Sequence, residues 1–296
     1  MHKTIIVTLL VQAVLILVGG VMAPAMAATN KVVLSADQVV KAKVEKIGSK
    51  FSAAIVLVRG TSLYDFQDGS KKDSMDYLFI PSYKTALGSV TAKIIYSQDL
   101  KDNSPGASDF ADSTITFAKS AIKWEWSSPY ILTLTPTLTA VVPLSKNSIK
   151  RDQLQTSIIA GVSFGIIPDG LAKESGWSLA IGLTAGRNFH QYQESIDGSI
   201  VLNRYSSNQT LNLGYAYEDF SVGFEYVHKS RFTYQNNTKD SFEFSQEIGY
   251  SINNNFSVAL GHSNIGSGLK ANGSEANFNI ISEKDSTVYA QLGITF

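Results

Sequence analysis

From Phe51 to the C-terminus, apolar and polar residues alternate along the chain. The pattern is clearest at 130–142. Tyr130, Leu132, Leu134, Pro136, Leu138, Ala140 and Val142 share one parity there, and Thr133, Thr135, Thr137 and Thr139 share the other. Successive side chains of a strand point to opposite faces, so this segment reads as a strand with one apolar and one polar face. The same reading holds at 76–87 (Tyr77, Phe79, Tyr83, Leu87), 89–98 (Val90, Ala92, Ile94, Tyr96), 153–166, 177–187, 209–217, 220–232, 241–252 and 256–263. Segments 51–63 and 112–126 are strand-like but alternate less cleanly. The last segment, 286–296, brings the count to twelve; ten or fourteen stay open, because 276–282 carries a further strand-like piece. Short connections fall near 87–89, 127–129, 218–219 and 253–255, with 168–176 the longest of that set. Longer polar ones fall at 65–74, 100–112, 145–151, 191–208, 235–240 and 264–285.

Alternation alone suits a soluble sandwich as well as a membrane barrel. Three features favour the barrel. Trp124, Trp126, Tyr130, Trp177, Tyr217, Phe220, Tyr250 and Phe256 cluster around the short turns, where an interfacial aromatic girdle belongs. The polar parity is rich in Gly, Ser, Thr and Gln, as a hydrated interior requires. Finally, the chain ends on Phe296, with Val288, Ala290, Leu292 and Ile294 at every second position before it and Thr287, Tyr289, Gln291, Gly293 and Thr295 between them.

That last pattern resembles the C-terminal signal strand of bacterial outer-membrane β-barrels of the small porin-like channel type. The resemblance implies an all-β, transmembrane, antiparallel up-and-down barrel in which the last strand pairs with the first. It implies that Phe296, Ile294 and Leu292 form the assembly signal read by the barrel-assembly machinery. It also implies a Gram-negative outer membrane, with its lipids and lipopolysaccharide as surroundings and small polar solutes as cargo. Short turns on the periplasmic side place both termini in the periplasm.

The first 50 residues have a different pattern. A basic start, an apolar run from Ile5 to Val18 and Ala25-Met26-Ala27 read as a signal peptide over 1–27. An uncleaved anchor is the other reading of that run. In the linker over 28–50, Ser35 and Gln38 suit a helix start, and Val40, Val44 and Ile47 recur at helical spacing, so a short amphipathic helix is expected at 36–47. It serves as a tether at one barrel mouth, or as a plug or docking element. The barrel itself is expected over 51–296.

Composition narrows the function. Of 296 residues, 25 are Lys or Arg and 25 are Asp or Glu, so the net charge is zero, which argues against nucleic acid as a partner. There is no cysteine, hence no disulfide and no thiolate metal site. No cofactor or metal constellation emerges. Carrying the alternation inward assigns Lys84, Lys93, Lys119 and Lys123 to one wall of the lumen, and Glu225, Glu243 and Glu247, with Lys229, to the opposite wall. Such an arrangement puts a transverse field across a polar pore, or else the charges pair and fill it. The leading function is therefore a porin-like passive channel and not an enzyme.

Two alternatives stay open. Some outer-membrane barrels are lipid hydrolases with His-x-Ser on the lipid-facing wall; His228 and Ser230 match that spacing, and Gln246 is the expected orienting amide. The hydrolases continue with Ser-Asn-Gly, whereas Arg231 and Phe232 follow here. The third possibility is a structural or adhesive barrel acting through its loops.

Overall fold

The structure is a computed structural model that describes residues 50–63, 72–100, 107–127, 129–168, 175–269, 277, 280–282 and 285–296. The signal peptide over 1–27 and the helix expected at 36–47 lie outside these residues. Among the described residues there are fourteen strands: β1 (Phe51–Ser62), β2 (Asp73–Lys84), β3 (Gly88–Asp99), β4 (Ser108–Phe110), β5 (Ser113–Lys119), β6 (Ile122–Ser127), β7 (Tyr130–Val142), β8 (Leu154–Pro168), β9 (Ser175–His190), β10 (Asn203–Tyr217), β11 (Phe220–Thr233), β12 (Thr238–Ser251), β13 (Phe256–Ser267) and β14 (Ser286–Thr295).

Every pairing is antiparallel. The ring closes where β14 lies along β1, with Leu57 opposite Leu292 and Ala54 opposite Thr295. Two further backbone bonds seal that seam: Ala53 N donates to Phe296 O at 3.3 Å, and Phe296 N to Ala53 O at 2.9 Å. Closure removes the unpaired strand edges that a hydrocarbon solvent cannot satisfy.

The barrel has twelve staves, because β4, β5 and β6 share one position between β3 and β7. β4 and β5 pair with β3, and β5 and β6 pair with β7. The stave breaks first at Ala111 and Asp112. Asp112 leaves the ladder and accepts from the backbone of Leu144 and Ser145 and from the Ser148 hydroxyl. It thereby ties down the wide helical turn Asn147–Arg151 between β7 and β8. The second break lies between Lys119 and Ile122. Ala118 faces Thr137, but Ile122 faces Leu134, so one extra residue is inserted there. A bulge of this kind exchanges the faces of all residues beyond it.

The parity expected from sequence describes the outer wall. Leu138, Leu211, Ile248 and Leu260 are 52%, 46%, 62% and 69% exposed on it. At the short-turn end, Phe51, Tyr83, Trp124, Trp177, Tyr217, Phe220, Tyr250, Phe256 and Phe296 are all exposed and form the aromatic girdle. Trp177 packs on Tyr215 and Phe220 on Tyr250, with ring centroids 4.7 and 4.8 Å apart. The β11–β12 connection is tighter than expected. β12 begins at Thr238, and Asn236 takes φ 63° to complete the turn.

Inside, one sector departs from the expected polarity. Ala54, Val56, Val58, Leu78, Ile80 and Ile95 point inward from β1, β2 and β3 and are buried in one apolar cluster. β1 and β2 are thus apolar on both faces. Tyr289 joins this cluster from β14. Its ring lies across Gly261 of β13, where a Cβ would come within 2.2 Å of it, and its hydroxyl donates to Glu247 of β12 at 3.0 Å. A glycine is needed at 261 because the ring occupies the space of a side chain.

Candidate functional site: the charged and polar lumen

Away from the apolar sector, the inner wall is built from hydroxyls, amides and charges. Ser82, Thr91, Thr116 and Thr139 stand in one row across β2, β3, β5 and β7. Ser82 and Thr91 are bonded at 2.9 Å, as are Thr116 and Thr139. Further along, the Ser157 hydroxyl donates to Asn188 Oδ1 at 2.7 Å. β-branched Thr suits the strand on this face because its hydroxyl bonds a cross-strand neighbour while its methyl packs on the pleat.

Three of the four lysines assigned to the lumen share its parity. Lys93 sits opposite Thr114, well up the wall, whereas Lys84 and Lys123 lie toward the short-turn end, opposite Ser89 and Thr133. Lys119 does not. It precedes the bulge and shares the parity of Ile115 and Phe117, so it belongs to the outer wall at the short-turn end. The extra residue between β5 and β6 is the cause, and a plain alternation cannot register it.

Glu225, Glu243 and Glu247 all share the inner parity, facing Asn212, Val227 and Gly223 on their neighbouring strands. β3 and β11 are six staves apart in the ring of twelve, so the lysines and the acids stand on opposite walls. The acidic wall is partly neutralised within itself. Lys229 bonds Glu243, which is only 6% exposed, and Glu247 accepts from Tyr289. Arg231 also points inward and donates to Asn208 Oδ1 at 2.7 Å. Arg231 shares the parity of Glu225 and Lys229 within the strand expected at 220–232, so the alternation already contained this lumen residue although the expected set did not include it.

The outer-wall hydrolase set is not assembled as expected. Gln246 lies opposite Phe224, four residues down β11 from His228, and its amide is 3.4 Å from His262 instead of near His228. The β11–β12 turn is shorter than assumed, which moves the register. Asp240 takes the place opposite Ser230 and accepts its proton at 2.6 Å, while His228 Nδ1 meets Gln209 Oε1 at 2.6 Å. Ser230 therefore bonds a carboxylate and not the imidazole that a nucleophilic serine needs. Among the described residues, no group of three or more His, Asp or Glu side chains is placed to hold a metal ion.

No protein-family model and no curated protein matches this sequence. Solved structures do match. An outer membrane channel from Pseudomonas putida F1 superposes with a TM-score of 0.50 at 11% identity, covering 83% of this chain and 95% of its own. The NanC porin gives 0.48 at 12% identity, covering 82% and 98%. Outer membrane phospholipase A from Escherichia coli gives 0.43 at 10% identity, covering 82% and 92%. The fold is that of a small porin-like outer-membrane β-barrel: a closed antiparallel ring, apolar outside and largely polar within.

Proposed function

We propose that this protein is a passive channel of the outer membrane for small polar solutes, with no enzymatic activity. The observation that carries this reading is the inner wall from β5 to β12. There hydroxyls, amides and charges face inward in a ring wider than the eight-stranded barrels that side chains fill. The apolar sector at β1–β3 confines the solute path to the polar arc. Along it, Lys93 on one side and the glutamates on the other set a transverse field that orients dipolar solutes and tunes ion selectivity. In this reading the short turns and both termini are periplasmic, the first 27 residues are removed on export, and Phe296, Ile294 and Leu292 present the end strand to the assembly machinery.

Single-channel recording in planar bilayers tests the function. Discrete conductance steps are expected from the purified mature chain. A folded barrel that passes no current at any voltage overturns the reading. Surface binding lost on deletion within 191–202, the β9–β10 connection, in a barrel that never conducts, would point instead to a loop-borne adhesive role.

A further inference from the structure

The outer wall is densely polar in one place. Cross-strand neighbours on the outer face of β9 to β12 form rows that descend from the loop end. The first row is Arg187, Tyr205, Phe232 and Thr238. The second is Ala185, Ser207, Ser230 and Asp240, and the third is Leu183, Gln209, His228 and Phe242. Below them come Ile181, Leu211, Tyr226 and Phe244, and the girdle row of Trp177, Tyr215, Val222 and Ile248 lies two rows lower. Rows are about 5 Å apart in a tilted barrel, and the apolar band of such barrels is about 25 Å tall. Five such steps lead up from the girdle row to the first row, so the band ends there. The first row therefore stands at headgroup level.

Two guanidinium groups stand there without a carboxylate. Arg187, exposed on the outer face, lies 4.9 Å from the Phe189 ring centroid and 5.9 Å from that of Tyr205. Arg204, the extra residue of a bulge at the start of β10, lies 5.1 Å from the Tyr205 ring and 6.0 Å from that of Tyr234. Among the described residues neither guanidinium group has a hydrogen bond or ion pair; aromatic faces alone hold them. Beneath Tyr205 runs a bonded polar strip. The Gln209 amide donates to Ser207 Oγ at 3.2 Å, and its oxygen meets His228 Nδ1. His228 Nε2 is 3.7 Å from Asp240, the acceptor of the Ser230 hydroxyl. That carboxylate is two strands from Tyr205, about 10 Å away, and it is engaged by Ser230.

We propose that this corner binds a phosphate-bearing lipid of the outer leaflet. Arg187 and Arg204 take the phosphate across the Tyr205 ring, because a pair of unpaired, weakly hydrated guanidinium groups matches a phosphate's oxygens and charge. Ser207, Gln209 and His228 meet the headgroup's neutral polar atoms below, and the acyl chains run down the wall at Leu183, Leu211 and Leu213. The inference rests on the reading that the loop end faces the outside. It does not depend on conduction.

The test uses the full mature chain in neutral maltoside micelles titrated with diphosphoryl lipid A, binding being read by native mass spectrometry. The double variant R187Q/R204Q is expected to bind about thirtyfold more weakly, from the loss of two arginines beside an anionic headgroup. The Lys119→Gln variant is expected to bind like the parent, and lipid A stripped of its phosphates is expected to bind the parent as weakly as diphosphoryl lipid A binds the double variant. Equal affinity of parent and double variant overturns the proposal. So does equal binding of phosphorylated and stripped lipid to the parent, a comparison that stands even if the variant does not fold. Full displacement of the lipid by millimolar inorganic phosphate would mark a free-anion site and also overturn it. Bilayer conductance of the parent is scored separately, so failure of the channel reading and failure of this one are distinguishable.

Discussion

Tyr289 and Gly261 show how a single side chain braces this barrel. The ring spans β13 over a residue with no side chain and delivers its hydroxyl to Glu247. Tyr289→Phe should destabilise the folded barrel by about 1–3 kcal/mol, because an inward carboxylate loses its donor. Gly261→Leu should cost a comparable amount by overpacking, about 1–3 kcal/mol. Urea unfolding in lipid vesicles, followed by tryptophan fluorescence, measures both. Parity decides which lysines matter to ions. Lys93→Glu is expected to shift the reversal potential toward cations, whereas Lys119→Glu, on the outer wall, should leave it where it is. Equal shifts from both variants would contradict the placement of the bulge. The positions of Lys84, Lys93, Lys123 and the three glutamates were legible because one face of each strand is plainly apolar. Lys119 was not, since an inserted residue leaves no mark in a segment as irregular as 112–126.

Among the elements, β14 carries the most weight, as the alternation of its residues suggests. Phe296 contributes two backbone bonds to the seam with β1. Deleting it should lower the yield of inserted barrel, read as heat-modifiable mobility on gels; unchanged insertion would detach the end strand from assembly. β1 was hard to read for a physical reason. Ile55 and Leu57 face out while Val56 and Val58 face in, so the apolar sector of the lumen erases the alternation that would announce the strand. In the connection between β9 and β10, Ser195 and Ser199 hold the Asp197 carboxylate down at about 2 by hydrogen bonding. A carboxylate held low in the folded state contributes stability above its ordinary value of 3.8, and that contribution fades as the pH falls toward about 2. The loop is therefore expected to keep its structure at pH 5 and to loosen between pH 4 and pH 2, with Asp197→Asn already loosened at pH 7. Proteolysis at the loop by an acid-active protease follows this; a pH-independent cleavage rate would contradict it.

For the whole molecule, the two faces of the ring must meet two solvents. Leu211 lies midway along β10 on the outer face. Leu211→Arg should therefore cost about 2–4 kcal/mol in a bilayer, the penalty for a charge near the midplane of a barrel wall. The same change on a sheet facing water would cost little. The most direct measurement exploits the absence of native cysteine. Single cysteines at Thr137, Leu138, Thr139 and Ala140, in turn, are challenged in proteoliposomes with a charged, water-soluble thiol reagent and with a lipid-borne quencher of an attached fluorophore. The account predicts strict alternation: 137 and 139 react with the aqueous reagent and escape the quencher, while 138 and 140 do the reverse. Uniform reactivity at all four positions, or quenching at 137 and 139, would contradict a wall with lipid on one side and water on the other.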